Sequence, residues 1–297
     1  MIASLFIGQG VDLPWVDADV LAESLVAERV GLASEHARCD MMRLLTRGGR
    51  ELARSEVVQP AMVAVCLGVH RLLERAGVTP AIGLGHSLGE LTAWAAAGGI
   101  ADADAIALAG TRGRLMAREA TAHPGGMVRI KGDRALTDRA LADGAMHGSL
   151  WLGADNGPDE YALTGDEAAL AYVLAHYPAV RLGVAGAWHS PAMAGASDEL
   201  ALAVGAVPKR GLRAKLIANR DGSLATDATI AELFVGQLVH PVQWVACLTT
   251  LARLEPQRLL AVGPGKTLRA LVHRNLGVER HVEMIDSMRA IEAAARA

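Results

Sequence analysis

The sequence predicts a mixed α/β fold in which a small βαββαβ unit is inserted into a larger α/β domain. Three observations predict it. A short apolar run turns through two glycines into an alanine-rich helix near residue 85. Segments of strand and helix length then alternate in the order β-α-β-β-α-β between residues 126 and 186. Strand-like runs near Leu216 and over 259–262 resume the first pattern.

Taken in order, residues 57–76 read as one helix, because Gln59-Pro60 puts a proline near its first turn and apolar residues follow from Met62 through Val69 to Leu73. Ala81-Ile82-Gly83-Leu84 is short and apolar, as a buried strand is. Gly85 to Gly89 turns the chain, and a helix follows over 90–97. Residues 102–118 form another helix, with Asp102 or Asp104 available as its cap. After His123-Pro124-Gly125-Gly126 come a strand at 127–130, a helix at 134–142 and strands at 150–154 and 161–164, joined by Asp155-Asn156-Gly157-Pro158. A helix at 166–176 and a strand at 180–184 complete a ferredoxin-like split unit. The expected division is therefore residues 1–125 with 187–297 in the large subdomain, and 126–186 in the small one. No internal repeat interrupts it.

A chain of 297 residues, 52% hydrophobic and 21% charged, can bury one large core or two modest ones. A net charge of -3 gives it no general attraction to nucleic acid. Cys39, Cys66 and Cys247 form no C-x-x-C pair and no metal-ligand spacing, which points to a reducing, cytoplasmic setting without a metal site. The N-terminus has no basic lead-in or long apolar stretch, so no signal peptide is expected. The longest uncharged run, 233–252, holds Gln237, His240, Pro241 and Gln243, each costly in hydrocarbon. No membrane association is expected.

Gly85-His86-Ser87-Leu88-Gly89 is G-x-S-x-G between a predicted strand and a predicted helix. A nucleophilic serine uses that context because the tight turn lifts its hydroxyl clear of the sheet, and the N–H after it can face a developing oxyanion. The plain alternative is a glycine-rich turn with a spectator serine. A serine hydroxyl needs a base beside it. Of the ten histidines, His189 differs: it lies in Gly186-Ala187-Trp188-His189-Ser190-Pro191, a turn after the last strand of the inserted unit, which returns it over the large domain. A hydrolase-type triad would instead use Asp221 with His273 or His281. Gly263-Pro264-Gly265-Lys266-Thr267 ends like a phosphate loop, but position 260 is leucine where the first glycine belongs.

Several short motifs occur together. They are Gly8-Gln9-Gly10, Gln59-Pro60-Ala61, Gly85-His86-Ser87-Leu88-Gly89-Glu90, Arg112-Gly113 with Met116, Gly186 to Pro191 with Met193, Pro241-Val242-Gln243-Trp244 and Val262 to Lys266. In that order and spacing the sequence resembles the malonyl-CoA:acyl carrier protein transacylases and the related acyltransferase domains of polyketide synthases. The resemblance implies an α/β-hydrolase-like large subdomain carrying a Ser–His dyad. Ser87 would be the nucleophile and His189 the general base and acid, its imidazole held by a backbone carbonyl that by position is Gln243's. The backbone N–H groups of Gln9 and Leu88 would form the oxyanion hole. Arg112 would clamp a malonyl carboxylate, with Gln59 lining the same pocket, and Trp188 would disfavour an α-methyl branch.

Each position has a plainer reading. The neighbours of Arg112 on its helix, Arg114 and Arg118, read as solvated; Gln59 suits a helix cap; Trp188 suits a core. The implied substrate is malonyl-CoA and the implied partner an acyl carrier protein that brings its own phosphopantetheine, so the chain itself needs no cofactor. The pattern departs from the family at Ile7 and at Val11-Asp12, on either side of the Gly-Gln-Gly. A same-fold acyl hydrolase or esterase, and the malonyl-transferring subunit of a malonate decarboxylase, are the alternatives.

Overall fold

The run Ile-Ala-Ser-Leu-Phe at residues 2–6 has no charge to keep it at a surface, and it becomes β1 (Ile2–Phe6), a strand deep within the larger sheet. The computed structural model describes residues 1–10 and 14–297; Val11 and Asp12, where the sequence departs from the family pattern, lie outside the described residues. Along the chain follow β2 (Ile82–Gly85), β3 (Gly126–Lys131), β4 (Leu150–Gly157), β5 (Glu160–Gly165), β6 (Ala179–Arg181), β7 (Lys215–Ile217), β8 (Leu224–Ala225), β9 (Val242–Gln243), β10 (Arg258–Val262) and β11 (Glu283–Ile285). The larger sheet has the order β11-β10-β1-β2-β7-β8. Its strands are parallel except for the β7–β8 pair.

The inserted unit forms the second sheet, order β6-β3-β5-β4, with helices Arg134–Gly144 and Glu167–His176 in the expected places. These four strands pair antiparallel. A fifth, β9, comes from the large subdomain and pairs parallel with β4 through Ala154–Val242 and Asp155–Gln243. Val128, Ile130, Leu163, Leu170 and Val173 fill a small separate core, while the large subdomain has the main one.

Local details differ from the sequence-based expectation where tertiary contacts intervene. The hairpin turn shrinks to Pro158-Asp159, because Asp155 to Gly157 continue β4 through irregular pairing with β5. The helix Ser55–Arg75 starts two residues before the expected boundary, so Pro60 and Gln59 lie inside it, and Gln59 caps nothing. That helix is long and apolar enough to cross a membrane, yet 89% of its apolar window is buried inside the fold. Asp102 opens the helix Asp102–Ala122, but its carboxylate is taken by Arg29 and Arg71 instead of the helix end.

Two glycines let the layers close on one another. A Cβ on Gly85 would stand 2.0 Å from the Gly89 carbonyl carbon, and one on Gly89 would stand 2.1 Å from the Phe6 carbonyl oxygen. Both collisions are with backbone, which cannot swing aside as a side chain can. Gly85→Ala is expected to cost at least about 3 kcal/mol of stability or to prevent folding. Gly31→Ala, on an exposed helical turn with nothing within 4 Å, is expected to gain about 0.5–1 kcal/mol. Urea unfolding of the two variants beside wild type checks both signs.

Candidate active site

Strand β2 ends at Gly85, and the helix Gly89–Ala96 begins four residues later, leaving no room for a relaxed turn. Ser87 at the apex takes φ of +53°, a left-handed conformation that a non-glycine residue holds only when its surroundings impose it. Asn219, which follows the neighbouring β7, imposes it from below. Its Oδ1 accepts the Ser87 N–H at 2.6 Å and its Nδ2 donates to the Gly85 carbonyl at 2.5 Å. His86 points away from the apex toward the small subdomain, where its Nε2 lies 2.8 Å from Asn156 Oδ1.

The structure brings His189 to Ser87, with Nε2 2.7 Å from the hydroxyl oxygen. His189 also has positive φ, +60°, and is 5% exposed. Its Nδ1 lies 2.8 Å from the carbonyl oxygen of Gln237. A carbonyl only accepts, so Nδ1 carries the proton and Nε2 presents its lone pair to the serine hydroxyl. The sequence-based assignment of this carbonyl to Gln243 is therefore corrected by six residues. Gln237 follows the helix Ile230–Gly236 directly, where carbonyls run out of intrahelical partners. Gln243 instead pairs in β9 and donates its N–H to the Asn219 carbonyl at 2.8 Å.

Arg112 is 1% exposed and reaches the same point from the opposite side. Its Nη1 donates to Gln59 Oε1 and its Nη2 to Gln237 Oε1, both at 2.9 Å, and Nη2 lies 3.4 Å from the Ser87 hydroxyl. Its Nε is buried and has no hydrogen-bond acceptor among the described residues. Gln59 thus acts on the guanidinium instead of lining the cavity, and its Nε2 turns to Met116 Sδ. Burial brings Arg112 down to about 10, opposed by the charge of Glu90. Burial first, and then the Arg112 charge, push His189 down to about 3, so the imidazole is neutral at ordinary pH.

A cavity of about 290 Å³ opens above these groups, between the two subdomains. Ser87, His189, Gln9, Trp188, Met127 and Leu182 are among its walls. Gly8 lies so close to the apex that a Cβ there would come within 2.9 Å of the His86 carbonyl oxygen, which sets the Gly8-Gln9 backbone beside that of Ser87-Leu88. The alternative triad is not assembled: His273 Nε2 contacts the Arg280 carbonyl, and Asp221 accepts the N–H of Ser223. No described carboxylate hydrogen-bonds to His189. Among the described residues no group of histidine, cysteine, aspartate and glutamate could hold a metal ion.

Three residues of this network carried no role in the sequence-based reading: Asn219, Gln237 and Glu90. Glu90 is wholly buried and pushed up to about 7 by that burial, against hydrogen bonds from Asn219 and Gln237. The signals were a carboxylate adjoining the serine motif, an asparagine just past a strand, and a glutamine in an uncharged run.

Residues 18–289 match the model of the acyl transferase domain family. The chain belongs to that family. This acyl transferase is 34% identical over 285 residues to the malonyl CoA-acyl carrier protein transacylase of Mycobacterium tuberculosis strain H37Rv, covering 93% of each chain. Its fold superimposes on the crystal structure of MCAT from Mycobacterium tuberculosis with a TM-score of 0.90, at 31% identity, over 99% of both chains. A structure of a type II polyketide synthase acyl-carrier protein in complex with its malonyl-transacylase matches equally well, with a TM-score of 0.90 at 27% identity over 99% of both chains.

The neutral imidazole has a measurable cost in acid. The unfolded acyl transferase takes up a proton on this histidine near pH 6.5, whereas the folded one resists until about 3. Stability contributed at neutral pH is therefore lost as pH falls through that window. Between pH 4 and 6 the stability of wild type is expected to rise with pH more steeply than that of His189→Ala, by up to about 1.4 kcal/mol per pH unit. Urea midpoints across that range provide the comparison.

Proposed function

We propose that this acyl transferase moves a malonyl group from coenzyme A to the phosphopantetheine thiol of an acyl carrier protein, through an acyl-serine intermediate, in fatty acid or polyketide synthesis. The observation that carries the proposal is Arg112: a buried guanidinium 3.4 Å from the Ser87 hydroxyl, its Nε without an acceptor among the described residues. In arginine, Nε–H and an adjacent Nη–H form a planar fork that takes a carboxylate bidentately. Malonyl is an acyl group that carries such a carboxylate two carbons from its thioester carbon. The names of the relatives support the same reading.

Ser87 Oγ attacks the thioester carbon as its proton passes to His189 Nε2. The backbone N–H groups of Gln9 and Leu88 receive the developing oxyanion. Collapse breaks the carbon–sulfur bond, and the coenzyme A thiolate leaves with the proton from Nε2. The carrier's thiol then gives its proton to the same nitrogen and attacks the malonyl ester, and Ser87 Oγ recovers the proton as it departs. The Gln237 carbonyl steadies the Nδ1–H throughout but adds no negative charge, so His189 remains a weak base. Such a base suits a thiol of pKa about 8.5 far better than water at about 15.7, which favours transfer over hydrolysis.

Trp188, 6% exposed on the cavity wall, would crowd an α-methyl branch. No cofactor of the chain's own enters this sequence of steps. Three unpaired cysteines support a cytoplasmic setting.

An acetyl group would leave the buried Nε–H of Arg112 without an acceptor, at a cost of roughly 1–3 kcal/mol. Arg112→Ala is therefore expected to lose malonyl transfer by at least about 30-fold and to gain relative acetyl transfer. Intact-mass spectrometry after mixing with malonyl-, methylmalonyl- and acetyl-CoA reads the adduct directly. The expected result is a malonyl adduct on wild type and none on Ser87→Ala. Equal malonyl loading in Arg112→Ala would remove the clamp from the proposal.

A further inference from the structure

Among the buried polar groups of the network around Ser87, Glu90, in the first turn of the helix Gly89–Ala96, has no part in the transfer steps. Its exposure is 0%. One carboxylate oxygen accepts the Asn219 backbone N–H at 2.6 Å, and the other accepts from Gln237 Nε2. These two partners are the residues that hold the working groups. Asn219 fixes the Ser87 N–H. Gln237 holds His189 through its backbone carbonyl and Arg112 through its side-chain oxygen, and its Nε2 also lies 3.2 Å from the Ser87 carbonyl.

A glutamine amide has a donor end and an acceptor end of nearly the same shape, so its orientation must be set by its neighbours. Arg112 offers only donors. Glu90, raised to about 7 by its burial, is ionised in mildly alkaline solution and there offers only acceptors. Between them, Gln237 has one orientation that leaves no donor facing a donor: the NH₂ toward Glu90 and Oε1 toward Arg112.

We infer that Glu90 is a positioning residue for acyl-group selection: by holding the NH₂ end of Gln237 it keeps the amide oxygen on Arg112 Nη2, and so keeps the guanidinium aligned with its Nε edge unpaired for a carboxylate. The inference rests on the reading of Arg112 as the malonyl clamp. It gives Glu90 no contact with substrate and no proton to transfer.

Glu90→Gln is the informative change because its consequences follow from counting donors. The Asn219 backbone N–H cannot turn over, so the new amide must offer its oxygen there. Its NH₂ then faces Gln237, which can satisfy it only by turning its own oxygen inward and its NH₂ toward Arg112. Two donors meet at the clamp.

The experiment measures, in mildly alkaline buffer where Glu90 is ionised, kcat and KM for malonyl-CoA and acetyl-CoA in wild type, Glu90→Gln, Gln237→Met, the double variant and Arg112→Ala, with thermal unfolding of each. The expected result is a fall of at least about tenfold in the malonyl-to-acetyl ratio of kcat/KM in Glu90→Gln, the size of one hydrogen bond to a charged group. Most of the malonyl loss should appear in KM. Gln237→Met, which keeps the backbone carbonyl on His189, should lose the ratio similarly, and the double variant no more than the larger single. Equal loss with both acyl groups, an unchanged ratio, or additive losses would overturn the inference, since a role confined to packing would produce those. If Glu90→Gln does not fold, an unchanged ratio in Gln237→Met overturns it alone. A collapsed ratio in Arg112→Ala with an intact one in Glu90→Gln rejects Glu90 and leaves the clamp; an unchanged ratio in Arg112→Ala rejects both.

Discussion

Everything at this site depends on the line from the Gln237 carbonyl through the His189 ring to the Ser87 hydroxyl, closed by contacts of 2.8 and 2.7 Å. It joins residues 102 and 48 apart in sequence, so neither hydroxyl nor ring is useful until the inserted unit has returned the chain over the large sheet. Both Ser87 and His189 have left-handed backbones. Each such residue stores about 1–3 kcal/mol of strain, which the glycines and Asn219 around the apex must overcome. The strain thus falls on the two residues whose side chains have to meet.

The charges around that line are arranged indirectly. Arg112 and Glu90 are both buried, yet the structure joins them through the amide of Gln237 instead of a direct ion pair. A direct pair would saturate the guanidinium and leave nothing for a ligand. The bridging amide keeps Glu90 close enough to offset part of the cost of burying Arg112, while the Arg112 Nε has no acceptor among the described residues. The same cationic charge depresses His189. A ligand carboxylate on Arg112 would offset that charge and so raise the basicity of the imidazole.

Much of this was legible in the sequence, unevenly. The strand–turn–helix around Ser87 was legible because steric need for glycine at Gly85 and Gly89 leaves a fixed pattern of letters. His189 was legible from its place at the exit of the inserted unit. The backbone carbonyl behind it was not, since any residue has one and only tertiary placement says which is used; hence the misassignment to Gln243. β1 was not legible as a strand, since a five-residue apolar run at the start of the sequence has no turn signal before it to mark it off. Glu90 sat in the motif without a role, for its meaning lies in which end of a distant amide it faces. The helix Ser55–Arg75 was legible, but its boundary moved because Pro60 is tolerated in the second turn, where only the Glu56 carbonyl loses a backbone partner.

Strand β9 has only two residues, yet it belongs to the large subdomain and hydrogen-bonds into the small sheet. With His86 joined to Asn156, and Arg274 to Asp159, it ties the two lobes together. A shift of one lobe against the other would therefore break backbone pairing between β4 and β9 as well as side-chain contacts. Asn156, which supplies part of the cleft wall, is fastened to the residue next to the reacting serine.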